Sequence, residues 1–101
     1  MTPSIHDLNT VCAEFVGREV FLHADAWFTW IDGKFVIWNP CQDHNQMAAI
    51  EQVACAKYTC IRYEIFDDHA MCRIDCHEPV EAETRLIALA LAILELGKEG
   101  R

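Results

Sequence analysis

Cys41, Asp43 and His44 stand close together in FVIWNPCQDHNQMAAIEQ, residues 35–52, where a strand-like apolar run gives way to a helical pattern. A cysteine beside a histidine at a helix mouth is an arrangement that can activate a thiol for nucleophilic attack. A nucleophile also needs an orienting group and an oxyanion donor, and no third residue can be assigned to either role from the spacing. Asp43 with Gln46 three positions on reads as a capping box. The stretch is therefore read as a strand-to-helix turn capped by Asp43, with Cys41 an incidental thiol.

The six cysteines raise the question of metal. Cys72 and Cys76, with His77 attached, look like a spaced pair. Four residues of strand span about 13 Å, too far for two thiols to share one ion. Both should instead point into the core with Ile74. One half-site survives: the expected strand pairing sets Cys60 opposite His77, and Cys41 with His44 could complete a Cys2His2 set. Nothing in the spacing requires it, so no metal or cofactor is expected. Glycines occur only at 17, 33, 97 and 100, outside any phosphate-binding loop. Carboxylates are plentiful but none has a recognisable partner at a fixed spacing. The chain is expected not to be an enzyme.

A binding surface is better supported. Asp67, Asp68, Asp75, Glu78, Glu81 and Glu83 fall close in sequence, and Trp27 and Trp38 are of the type that anchors interfaces. These eight are the candidate contact residues. The alternative is plainer: a solvated surface for the acids, and cover by a helix for the tryptophans.

The elements that would position these residues follow from local patterns. Ser4 and Asp7 form a capping box before Ile5, Leu8, Val11, Cys12 and Phe15, and Gly17 is a stop, so helix one covers about 5–16. Glu19 to His23 reads as a short strand and Ala24-Asp25 as a break. Trp27 to Ile31 and Lys34 to Trp38 form a hairpin around Asp32-Gly33, with Trp30 facing Phe35 and Phe28 facing Ile37. That wholly apolar face is expected to be core, with Trp27 and Trp38 side by side on the other. Pro40 ends the strand. Met47, Ile50, Val53 and Ala54 then share one face of a second helix, to about Lys57.

Thr59 to Phe66 and Ala70 to His77 alternate cleanly. Closing the turn at Asp68-His69 pairs Glu64 with Arg73 and Arg62 with Asp75 on one face, and Ile65 with Cys72, Tyr63 with Ile74 and Ile61 with Cys76 on the other. Pro79 with Glu78, Glu81 and Glu83 suits a helix start, and the last helix should run to about Leu96, stopped by Gly97. Residues 86–96 are apolar on nearly every side, so this helix either lies between the sheet and another helix or meets a second copy of itself. The order α-β-β-β-α-β-β-α predicts an α+β fold: one antiparallel sheet of about five strands with three helices packed on it.

One domain is expected across 1–101, since the chain has no room for a second core. It is 52% apolar and carries a formal charge of -8, which disfavours direct contact with nucleic acid or anionic membranes and suits a basic partner. MTPSIHDLNT has neither a basic start nor an apolar run, and LIALALAIL is far short of the roughly 20 residues that span a bilayer. A cytoplasmic location with reduced thiols is expected.

The pattern WNP-x2-D-x6-I, from Trp38, Asn39, Pro40 and Asp43 to Ile50, resembles the phage ABA-sandwich domain family, small phage and prophage proteins of largely uncharacterised role. Leu8 to Gly17 and Glu83 to Leu94 match that family's first and last helices in kind and order. The cysteine load, the compact loop from Gly17 to Trp27 and a second helix without bulky aromatics depart from it. The resemblance implies a phage origin and transfers no catalytic residues. Small acidic phage proteins often block host defence complexes, so an anti-CRISPR-like inhibitor of a complex with a basic nucleic-acid-binding surface is expected. The alternatives are a homo-oligomeric phage accessory protein, dimerising through residues 86–96, and a zinc- or thiol-dependent protein.

Overall fold

The computed structural model describes residues 3–99. Its elements are α1 (Ile5–Val16), β1 (Phe21–His23), β2 (Ala26–Ile31), β3 (Lys34–Ile37), α2 (His44–Lys57), β4 (Ile61–Ile65), β5 (Ala70–Ile74), β6 (Val80–Ala82) and α3 (Arg85–Glu99). The class is α+β, as expected. The single five-stranded sheet is not found: β1-β2-β3 and β4-β5-β6 form two separate antiparallel sheets of three strands each. The end of β3 explains the division. Gln46, in the first turn of α2, accepts from the Asn39 amide at 2.7 Å and donates to the Ile37 carbonyl at 2.6 Å. A helix side chain thus takes up backbone groups at the point where Pro40 has already ended the strand.

Helix α1 follows its sequence signals. The Ser4 hydroxyl accepts from the Asp7 amide at 3.1 Å, and the Asp7 carboxylate accepts from the Ser4 amide at 3.2 Å. At the other end Gly17 takes φ 71°, which a side chain would strain. The β2–β3 register is also as expected, with Trp30 opposite Phe35 and Phe28 opposite Ile37 across Asp32-Gly33. Both turn residues have positive φ, 52° and 78°, matching the twist of a two-residue hairpin.

Which face of that hairpin is buried is the reverse of the expectation. Thr29 and Trp38 are buried, whereas Trp30, Phe35 and Ile37 are exposed by 57%, 43% and 56%. Trp38 decides this. Its indole Nε1 donates to the Asn9 carbonyl of α1 at 2.8 Å, and its amide bonds the Trp27 carbonyl at 2.8 Å. Alternation then turns Trp27, Thr29 and Val36 inward with it. The Thr29 hydroxyl is satisfied by the Glu19 carbonyl at 2.8 Å.

In the second sheet the β4–β5 pairing is offset by two residues from the expected one. Ile61 pairs with Ile74, Arg62 with Arg73, Tyr63 with Cys72 and Glu64 with Met71. A two-residue offset keeps every side chain on its face, so Cys72 and Ile74 are buried as expected. It replaces the expected charge pairs by Arg62 opposite Arg73. The turn is set instead by Asp67-Asp68: the Phe66 amide bonds the His69 carbonyl at 2.9 Å, and the Phe66 and His69 rings stack with centroids 4.5 Å apart. Beyond Ile74, Asp75 takes φ 50° and ends the strand, which leaves Cys76 exposed rather than in the core.

The expected helix start at Pro79 is a strand. Val80 and Ala82 pack inward, Glu81 points out, and β6 pairs with the free edge of β5. Glu78, Glu81 and Glu83 therefore lie outside the helix. Thr84 opens α3 instead, its carbonyl accepting from the Ala88 amide at 2.9 Å. Gly97 does not stop α3, which runs to Glu99. This helix packs on α1, β5 and β6, and Ala88, Leu89 and Ala90 are fully buried. Of the two covers considered for residues 86–96, sheet and helix provide one, and Leu86, Leu89 and Ile93 lie in the core. Met47, Ile50 and Ala54 of α2 face the same core, while Val53 is exposed by 38%. Among the described residues no helix is long and apolar enough to cross a membrane.

Candidate functional site

The residues 38–44 form a structural node. Asp43 caps α2, its Oδ1 accepting from the Gln46 amide at 3.1 Å, while the Gln46 side chain serves β3 rather than closing the expected box. Cys41 is 2% exposed, and its amide donates to Asn9 Oδ1 at 3.1 Å. Asn9, itself buried, also donates through Nδ2 to Asn39 Oδ1 at 2.9 Å. One α1 amide thus holds both sides of the Pro40 turn, a role that nothing in the spacing of Asn9 announces. The thiols of Cys12 and Cys41 share a hydrogen bond, and this bond together with burial pushes the Cys12 thiol far above its ordinary range. The same bond lowers the Cys41 pKa against the opposing effect of burial. His44 opens α2 on the exposed side.

The zinc half-site does not assemble as expected. Cys60 faces Asp75, whose Oδ1 accepts from the Cys60 amide at 2.7 Å and whose amide donates to the Cys60 carbonyl at 2.8 Å. Among the described residues no group of three or more His, Cys, Asp or Glu is placed to hold a metal. All six cysteines are free. Cys72 is pushed up to about 12 by burial and by the nearby Glu51 charge.

The eight candidate contact residues fall into three places. Trp38 is buried in the core and Trp27 is half-buried against it, so Trp38 anchors α1 to β3 rather than a partner. Asp75 and Glu78 follow β5 at one end of the second sheet. Asp67, Asp68, Glu81 and Glu83 meet at the other end, because Ala82 pairs with Ala70 and brings β6 beside the β4–β5 turn. Among the described residues the counter-charge seen at this group is imidazole. His69 Nδ1 lies 2.6 Å from Asp68 Oδ1, and Nε2 lies 3.8 Å from Glu81. The Asp68 hydrogen bond raises the His69 pKa and lowers that of Asp68. Residues 59–84 carry seven carboxylates and two guanidiniums, -5 of the total -8, whereas residues 18–38 carry three carboxylates with one guanidinium and one ammonium, only -1.

Two further features went unread in the sequence. Glu51 on α2 accepts from Arg85 of α3 at 2.6 Å and from the Tyr63 hydroxyl of β4 at 2.7 Å, with the guanidinium 5.0 Å above the tyrosine ring. Burial and then the Glu51 bond raise the Tyr63 pKa. The trio straps three elements together. The second feature is the aromatic outer face of the first sheet. Phe21 pairs with Phe28, which stacks on Phe35 at 4.8 Å, and Trp30 lies 5.0 Å from Phe35. Its signal was present as the apolar face read as core. No family model, curated protein or solved structure matches the chain.

Proposed function

We propose that this chain acts by protein–protein contact, docking its acidic second sheet on a basic, nucleic-acid-binding surface of a host defence complex and so blocking it. The observation that carries the reading is the gathering of Asp67, Asp68, Glu81 and Glu83 from a turn and a neighbouring strand onto one sheet end. Carboxylates held on a rigid edge can replace nucleic-acid phosphates against lysine and arginine, and the summed field speeds encounter. The resemblance around Trp38, Asn39, Pro40 and Asp43 supports a phage origin, and inhibition of an anti-CRISPR kind is the role that fits such a protein. Asp75 is committed to the Cys60 amide and contributes less.

The test is capture of a CRISPR-type effector complex on the immobilised chain at low and moderate salt. Binding should weaken with salt. It should also fall at least about tenfold when Asp67, Asp68, Glu81 and Glu83 are changed to lysine, about 1.4 kcal/mol or more. Binding to none of the basic complexes tried, or binding indifferent to the four changes, would overturn the reading.

A further inference from the structure

The outer face of the first sheet is largely apolar and uncovered among the described residues. Phe21, Trp30, Phe35 and Ile37 are exposed by 44%, 57%, 43% and 56%, and Phe28 sits half-buried among them. We infer that this face binds the same face of a second copy of the chain, giving a reversible twofold dimer.

Area and charge select that occupant. The four exposed side chains present on the order of 400 Å² per copy, since each of the three aromatics buries about 150–250 Å² when fully covered and Ile37 adds a smaller share. Two such faces bury about 800 Å² before any rim contact, near half of a standard interface, which fits a concentration-dependent dimer rather than an obligate one. Glu19 and Arg18 border the face beside Phe21 and Trp30, and the two charges cancel, so a basic partner finds little there that the second sheet does not offer better. Another copy supplies an equal apolar face, and sheets pack face to face by interdigitating such side chains. Most of the chain's negative charge lies in residues 59–84, away from the contact segment, which limits the repulsion between copies.

The ends of the face set the orientation. His23 lies at the β1–β2 end, its ring 6.1 Å from Phe28, and Asp32 lies at the β2–β3 turn. A twofold axis in the interface plane, across the strands, brings the end of each copy that carries His23 and Asp25 over the end of its partner that carries Asp32. An axis along the strands would set Asp32 against Asp32.

Sedimentation of the full chain from about 1 µM to about 1 mM tests this, a range that covers weak reversible association. The mass should rise from 11.6 kDa toward twice that value. Added salt should strengthen the dimer by screening the acidic copies from one another. Trp30→Glu should hold the chain monomeric throughout with an unchanged circular dichroism spectrum, since the residue is exposed. His23→Lys should tighten the dimer several-fold, and Asp32→Asn, which suits the same turn, should cancel that gain. A monomer at every concentration, or a dimer that survives Trp30→Glu, overturns the proposal. Weakening by His23→Lys overturns the proposed orientation.

Discussion

At the scale of single residues, the Asp68–His69 contact makes the acidic turn sensitive to pH. Folding raises the His69 pKa, so its contribution is complete below the ordinary imidazole value of 6.5 and is lost as pH rises through the raised one. Folding lowers the Asp68 pKa, so its share is present above 3.8 and is lost as pH falls through the lowered one. Asp68→Asn is expected to bring the His69 midpoint back toward 6.5, read from the ring-proton shifts by NMR. An unmoved midpoint would mean that Asp68 is not the cause. Ala24 is a second local case. It holds φ 49° in the β1–β2 turn, a left-handed conformation that strains a side chain by about 1–2 kcal/mol. Ala24→Gly should stabilise the fold by a few tenths to about 1 kcal/mol after the entropy of glycine is set against it, measured by urea unfolding.

At the scale of elements, Trp38 ties the first sheet to α1 through its indole bond to Asn9. Trp38→Phe keeps a large ring but loses that bond and some packing. It should cost about 1–3 kcal/mol and leave the spectrum of the folded state native. Thermal stability equal to the parent would show that the bond does not hold the sheet in place. The helices were largely legible because their ends are set by nearby residues: Ser4 with Asp7, Gly17, and Asp43 with Gln46. β6 was not, because Val80-Glu81-Ala82 is three residues long, and the glutamates beside Pro79 fit a helix dipole equally well. The β4–β5 offset was legible only to within two residues, since alternation fixes the face and leaves even shifts open.

At the scale of the whole molecule, Glu51, Tyr63 and Arg85 join α2, β4 and α3 at a part-buried site. Glu51→Ala removes two hydrogen bonds, one of them to a charged group. It should destabilise the chain by about 1–3 kcal/mol, with a lowered urea midpoint as the readout. A change within a few tenths would show that solvent supports Arg85 and Tyr63 equally well. The two proposed surfaces also answer salt in opposite senses: binding of a basic partner by the second sheet weakens, while pairing of copies through the first sheet strengthens. Their signs can be read in one buffer series.

Local rules alone determined α1, the Asp32-Gly33 register, the Asp43 cap and the apolar face of Phe28, Trp30, Phe35 and Ile37. Each rests on interactions within a few residues, which any context preserves. Tertiary structure decided which apolar face went inward, how many sheets formed and where the acids met. The wholly apolar face did not win, and the choice fell to Trp38, whose indole finds its acceptor on a helix 29 positions away. The acids met at one sheet end only because β6 took the free edge of β5. Both outcomes depend on partners distant in sequence, which periodicity cannot register.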